Sequence, residues 1–218
     1  MLPENSPLEC RRCGTCCRKG GPGLHLGDLP LYVSGRLPRA GLLTLRAGEL
    51  VFDNVAGNVG PLAEEMVKIR SVPGGACVFF RDESRCAVYR DRPAECRALF
   101  CAAPEAVASM YQKDRLTRRD LIQTGGALID LIMYHEQRCA QARAAELARA
   151  LESGDEAAGK ELFALVRFDE EFRAVLVERA GIDPSELPFY LGRPLAETLI
   201  GRGPRCETLF ASRKSRAV

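Results

Sequence analysis

The amino-acid sequence predicts an α+β fold, in which an irregular cysteine-rich metal-binding region with short strands and a hairpin precedes a helical C-terminal half. Eight of the ten cysteines lie within the first 101 residues, where helical periodicity is weak. From residue 103 onward, apolar residues recur at helical spacing. We therefore expect a cysteine-cluster metal-binding region over residues 1–102 and a helical region with a basic C-terminal tail over residues 103–218.

Short β elements are predicted in the first region. Residues 41–52 have the pattern of a hairpin, because apolar and polar residues alternate on both sides of a central Ala-Gly pair. The same alternation predicts a strand over residues 66–72, and shorter strand-like runs over residues 77–80 and 86–89. Elements this short bury little apolar surface, so we expect a metal cross-link to supply part of the stability.

Helices are predicted in the second region. Thr117 and Asp120 have the spacing of a capping box at a helix start. The helix that follows is expected to continue through the alanine-rich residues 140–151. A further helix is expected over residues 156–180, ending at Gly181.

The composition narrows the classes of partner and location. The net charge is only +2, so no chain-wide basic field attracts nucleic acid, although residues 202–218 are locally basic and expected to form a solvated tail. No secretory signal pattern begins the sequence, and no apolar run reaches the roughly 18 residues of a membrane span. We expect a soluble protein of a reducing compartment such as the bacterial cytoplasm, without a membrane partner.

The cysteines are the main functional signal. In a reducing compartment, clustered cysteines indicate a metal site rather than a disulfide scaffold. The two-residue gaps that separate Cys10, Cys13 and Cys16 match the first three ligands of a [4Fe–4S] run, whose fourth ligand comes from elsewhere in the chain. A zinc site, which takes four ligands for each ion, is the alternative.

The downstream cysteines are spaced irregularly and contain no second two-residue gap, which favours an iron–sulfur cluster over zinc. The thiolates could also hold two zinc ions, one cluster and one ion, or two clusters. Adjacent Cys16 and Cys17 either serve two neighbouring sites, or one binds metal while the other is a free thiol of low pKa or a small buried residue.

A family resemblance follows from these residues. The run from Cys10 to Cys17, together with the later segment Cys86-Ala-Val-Tyr-Arg-Asp-Arg-Pro-Ala-Glu-Cys96-Arg97, resembles the YkgJ-type cysteine-cluster family with its C-x-x-C-x-x-C-C signature. The resemblance covers roughly residues 8 to 101 and implies a zinc- or iron-chelating domain. The ligands it implies, with Cys101 matching less closely, are Cys10, Cys13, Cys16, Cys17, Cys77, Cys86, Cys96 and Cys101.

Two other residues near the predicted ligands are candidates for contact with the cofactor. Arg97 could donate hydrogen bonds to cluster sulfur or thiolate and offset negative charge, and Tyr89 lies between two predicted ligands. The plain alternative for Arg97 is a surface ion pair with Asp91 or Glu95.

Further candidates have simpler explanations. His25 and Asp28 are less favoured ligands, and Asp28 could equally cap a helix. His135 and Cys139 stand four residues apart on an otherwise apolar helix face, which favours core packing over metal binding. Cys206 is expected to be an idle thiol in the basic tail.

Two classes of function are consistent with these features of the sequence. The first is a redox or metal-handling accessory protein whose helical half offers a surface to a protein partner. The second is a cluster-dependent enzyme, related through the resemblance to flagellin lysine N-methylase. A glycine-rich loop between a strand and a helix, the usual nucleotide cradle, is not evident in the sequence. A zinc module that binds nucleic acid is the least favoured class, because it needs a basic surface with aromatic residues.

Overall fold

The computed structural model describes residues 12–81, 85–100, 103–122 and 126–210. Within them the α+β prediction is confirmed, since short strand pairs lie in the N-terminal half and helices dominate the C-terminal half. Two compact units make up the chain: Met1–Leu42 with Val67–Leu116, and Leu43–Met66 with Thr117–Val218. The division at residue 102 stays a sequence prediction.

The first unit contains only short elements. Its helices and strands are α1 Thr15–Arg18, α2 Leu29–Val33, β5 Phe80–Arg81, β6 Arg85–Cys86, α3 Ala94–Ala98 and α4 Glu105–Met110. Strands β1 (Leu42–Leu45) and β4 (Met66–Ile69) contain residues of both units, and β4 confirms the strand predicted there.

Backbone hydrogen bonds hold the first unit together in place of a large sheet. The amide of Leu24 donates to the carbonyl of Val67 at 2.9 Å, and the amide of Leu116 donates to the carbonyl of Leu24 at 2.9 Å. The amide of Val67 in turn donates to the carbonyl of Leu116 at 2.8 Å. The side chains of all three residues are fully buried, so these hydrogen bonds satisfy backbone amide and carbonyl groups inside the apolar core.

The second unit contains a β-hairpin and most of the helical residues of the described chain. Its elements are β2 Leu50–Asp53, β3 Asn58–Pro61, α5 Arg118–Leu121, α6 Ala127–Arg138, α7 Gln141–Glu152, α8 Glu156–Ala180, α9 Leu187–Leu191, α10 Leu195–Thr198 and α11 Pro204–Phe210. Apolar residues of α7, α8, α10 and α11 form one buried cluster. Among the described residues, no helix is both long and apolar enough to cross a membrane.

The predicted hairpin over residues 41–52 is wrong. Strand β2 pairs antiparallel with β3, with Leu50 opposite Pro61 and Asp53 opposite Asn58. The reason is local turn chemistry, because the Asp53 carboxylate accepts hydrogen bonds from the amides of the next residues and closes a turn after β2.

The predicted continuous helix through residues 140–151 is also wrong. Helix α6 ends at Arg138 and α7 begins at Gln141, with Ala140 in an extended conformation between them. The Cys139 carbonyl accepts a hydrogen bond from the buried Arg46 guanidinium at 3.3 Å, which satisfies a group that the helix end leaves free.

The sequence signals that predicted where helices begin and end are confirmed for α5 and α8. Thr117 and Asp120 form the capping box of α5. Helix α8 spans residues 156–180 and ends at Gly181, whose φ of 66° is left-handed. The predicted solvated tail is corrected over Pro204–Phe210, which forms α11 and buries Cys206 completely.

Candidate metal centre

A single helical turn presents the first cysteines. Gly14 precedes α1 with a φ of 75°, and a Cβ there would lie 2.7 Å from the Phe80 ring, so this position needs glycine. Cys16 and Cys17 are adjacent on α1, and their sulfurs are 3.9 Å apart. The turn therefore aims two neighbouring thiols into the same small volume.

A backbone contact joins the two cysteine groups. The amide of Cys77 donates to the carbonyl of Cys17 at 2.7 Å, although the residues are distant in sequence. The amide of Phe80 donates to the carbonyl of Cys77 at 2.9 Å, and Phe80 lies opposite Cys86 in the β5–β6 pair. Through Phe80 and Cys77, the strand pair that carries Cys86 is thus linked to the α1 turn.

Burial and neighbouring thiols act together on the pKa values of Cys17 and Cys96. Burial, together with interactions with Cys16, Cys86 and Cys77, raises the pKa of Cys17 to about 12. Burial also raises the pKa of Cys96, which lies on α3. The thiols that raise the Cys96 pKa by charge are Cys77, Cys16, Cys17 and Cys86.

These shifts test whether the residues fit a metal. Burial and mutual repulsion raise the pKa values of Cys17, Cys77 and Cys96, so these three thiols keep their protons. A bound cation reverses this preference, because thiolate ligands lose their protons when they coordinate. Every described cysteine is a free thiol, and thiolate sulfur suits zinc, iron–sulfur clusters and Cu(I). The donor set fits such a metal.

Cys13 differs from the other described candidates. Its side chain is exposed, and its sulfur lies 3.2 Å from the Thr15 hydroxyl. This hydrogen bond lowers the pKa of the Cys13 thiol and favours the thiolate. The other two predicted ligands, Cys10 and Cys101, lie outside the described residues.

A polar network that the sequence analysis missed positions α3. His25 is buried, with Nδ1 2.6 Å from the Lys113 carbonyl and Nε2 3.1 Å from the Glu95 carboxylate. The other Glu95 oxygen accepts from the amide of Gly23 at 2.9 Å. Both ring nitrogens of His25 therefore have hydrogen-bond partners that anchor the glycine loop beside Cys96.

Asp28 completes this network. Its buried carboxylate accepts from the amide of His25 at 3.1 Å and from the amide of Ala94 at 2.8 Å. The second bond satisfies a free amide at the start of α3. No sequence pattern indicated this, because Asp28 and Ala94 are 66 positions apart.

The side chains of Arg97 and Tyr89 contact neighbouring charged residues. Arg97 donates from Nη1 to the Arg92 carbonyl at 2.5 Å, and its Nη2 lies 3.7 Å from an Asp28 oxygen. The guanidinium groups of Arg12 and Arg92 lie over the Tyr89 ring. Contact of Arg97 or Tyr89 with a cofactor stays a prediction.

The second unit contains a different cluster. The ligand atoms of His135, Cys139 and Asp169 lie within 4.8 Å of one another, and all three residues are buried. His135 Nε2 is 2.7 Å from Asp169, whose carboxylate also accepts from Arg173 Nε at 3.0 Å and from the amide of Leu195 at 2.9 Å. The Asp169 oxygens are thus committed to polar links within the helical core.

The fold and thiols define a cysteine-rich domain of the metal-chelating class. The family model CxxCxxCC, described as "Putative zinc- or iron-chelating domain", matches residues 9–119. The match covers about half of the chain, and the chain belongs to the CxxCxxCC family. No curated protein and no solved structure is significantly similar to it.

Proposed function

We propose that this protein carries a thiolate metal centre, an iron–sulfur cluster or in the alternative zinc, and acts as a redox or metal-handling accessory. The observation that carries the proposal is the thiol cluster of the first unit, in which burial and neighbouring thiols together raise the pKa values. The proposed ligands are Cys10, Cys13, Cys16, Cys17, Cys77, Cys86, Cys96 and Cys101.

The number of neighbouring thiols supports more than one metal centre. The described thiols that influence one another are Cys16, Cys17, Cys77, Cys86 and Cys96. One tetrahedral zinc ion takes four protein ligands, and a single iron–sulfur cluster is also held by four cysteines, so either one leaves a thiol of this group unused. Two metal centres can use all five thiols.

The distance between the Cys16 and Cys17 sulfurs supports a refinement of this proposal. Two thiolates on one tetrahedral metal, with metal–sulfur bonds of about 2.3 Å, stand roughly 3.8 Å apart. The 3.9 Å separation suits two thiolates on the same metal atom. Within the iron–sulfur proposal this favours a [2Fe–2S] arrangement, where each iron carries two thiolates, over the expected [4Fe–4S] cluster.

Anaerobic purification of the full chain tests metal identity. Iron, zinc and acid-labile sulfide are measured for each chain, together with the visible absorption of sulfide-bound iron. Iron with matching sulfide supports the cluster. A colourless protein with stoichiometric zinc contradicts the cluster and supports the alternative, and a protein free of metal contradicts the proposal.

Matched cysteine variants test the site. Cys77→Ser is expected to lose bound metal, because Cys77 belongs to the thiol cluster and is tied to Cys17 by its backbone. Cys206→Ser is the control, since Cys206 is also buried and free, with its pKa raised to about 11 chiefly by burial, but lies in the helical unit. Equal metal content in Cys77→Ser and wild type contradicts the ligand assignment.

The accessory role has its own test. A redox role requires that the purified protein is reduced and reoxidised reversibly, which potentiometric titration of the visible spectrum measures. For a docking surface, the helical half offers exposed apolar side chains of α6, namely Leu131, Met133 and Tyr134. A centre that cannot be reduced contradicts the redox role.

A further inference from the structure

A cavity of about 500 Å³ lies in the first unit, where residues of α3 and α4 line it. Its charged lining consists of three arginines, Arg12, Arg92 and Arg97, and one acid, Glu105. Phe100 and Ala106 are among the other lining residues. The described wall therefore has excess positive charge together with apolar surface.

Tyr89 brings two of the guanidinium groups together. The Arg12 guanidinium carbon lies 4.1 Å from the centre of the Tyr89 ring, and that of Arg92 lies 3.9 Å from it. Cation–π attraction holds each guanidinium on the ring. The two like charges repel each other across this short space, and an anion that bridges them relieves the repulsion.

Arg92 retains a donor for such an anion. Its buried Nε has no hydrogen-bond partner, which is rare for a buried polar group and indicates an absent acceptor. Arg97 is fixed beside it, because Nη1 of Arg97 donates to the Arg92 carbonyl at 2.5 Å. This bond orients the Arg97 guanidinium while about half of its side chain stays exposed.

We infer that this cavity is a binding site for a small molecule that carries a phosphate group. Guanidinium groups bind phosphate through paired, charge-assisted hydrogen bonds. A phosphate monoester carries a charge of about −1.5 to −2 at neutral pH, which matches the excess of arginine over acid in the lining. The volume falls within the range of small-molecule pockets, so an organic body can occupy the part lined by Phe100 and Ala106.

The roles of the residues follow from their positions. Arg92 and Arg97 bind the phosphate oxygens, and Tyr89 is a positioning residue that acts through the guanidinium groups on its ring. No cysteine in the described part of the chain lines this cavity, so binding of phosphate and metal content are separate measurements.

Calorimetric titration of the full chain at constant ionic strength tests the inference with inorganic phosphate, phenyl phosphate and citrate. We expect saturable binding of phenyl phosphate, tighter than that of inorganic phosphate. Arg92→Gln is expected to weaken phenyl phosphate at least about tenfold. Arg90→Gln is the control, because Arg90 is exposed and does not line the cavity, and it is expected to change the Kd less than twofold.

The outcomes separate the site from alternatives. Tighter binding of citrate than of phenyl phosphate overturns the assignment to phosphate, and no saturable binding overturns the site. Equal weakening by Arg92→Gln and Arg90→Gln means a general charge effect and also overturns it. If circular dichroism shows that Arg92→Gln does not fold, Arg97→Gln replaces it, because Arg97 is more exposed. The same tenfold loss of affinity for phenyl phosphate is expected. Unchanged affinity in Arg97→Gln overturns the inference.

Discussion

Replacing Asp169 by alanine removes the centre of the polar network in the helical unit. The carboxylate is fully buried on α8 and accepts from His135 Nε2 at 2.7 Å, Arg173 Nε at 3.0 Å and the amide of Leu195 at 2.9 Å. These bonds link α8 to α6 and to the start of α10. Its loss leaves three buried donors without this acceptor.

The cost follows from the groups left behind. An unsatisfied buried donor costs about 1–3 kcal/mol, and a charged one costs more. Arg173 retains backbone partners, since its guanidinium also donates to the carbonyls of Gly192 at 3.2 Å and Leu191 at 3.3 Å. We therefore expect Asp169→Ala to lower the free energy of unfolding by about 3–5 kcal/mol, the range for breaking a buried ion pair.

Urea unfolding followed by far-ultraviolet circular dichroism measures this change. Glu171→Ala is the matched control on the same helix, because Glu171 pairs with Arg167 at 2.7 Å while both side chains are mostly exposed. An exposed pair contributes less than about 1 kcal/mol, so the control is expected to stay within that range. The reasoning is refuted if Asp169→Ala costs no more than Glu171→Ala at equal m-values.

Three further predictions concern other parts of the molecule. Gly14→Ala is expected to lower metal affinity about tenfold in a competition titration, because the added Cβ strains the turn that carries Cys16 and Cys17. Gly27→Ala is the control and should leave the affinity unchanged, since its added Cβ has nothing within 4 Å. After chelator treatment, mass spectrometry should show that a thiol reagent modifies exposed Cys13 before buried Cys139, and the reverse order would contradict the assigned pKa shifts. Burial lowers the pKa of His135 below 6.5, so the stability that neutral His135 contributes is complete above pH 6.5 and is lost as the pH falls. Urea unfolding at a series of pH values should therefore show that the free energy of unfolding falls less steeply in acid for a His135→Gln variant than for the wild type. An equally steep fall in both proteins would contradict this expectation.

Local signals predicted part of the fold correctly. The capping box at Thr117 and the end of α8 at Gly181 depend on residues within one turn of the chain, so sequence spacing is sufficient. The break after Cys139 was missed because apolar periodicity continues across it. The groups that stabilise the break, such as Arg46, are distant in sequence.

At the candidate site, too, contacts between residues that are distant in sequence could not be predicted. The two cysteine groups were recognised from spacing and from the family pattern, and the structure joins them through Cys77 and Cys17. The position of α3 depends instead on pairs such as His25 and Glu95, which are 70 residues apart. Spacing carries no signal for such contacts, because they depend on how irregular backbone packs.

Metal content per chain is the most direct test of the central claim. The full chain and its Cys17→Ser variant are purified anaerobically and their iron, zinc and sulfide are measured. We expect bound metal in the wild type, with iron and sulfide as the favoured composition, and a clear loss in Cys17→Ser, because the Cys17 sulfur lies 3.9 Å from that of Cys16 and the pKa of Cys17 is raised by burial together with Cys16, Cys86 and Cys77. A wild-type chain without metal, or a variant that keeps its full metal content, would contradict it.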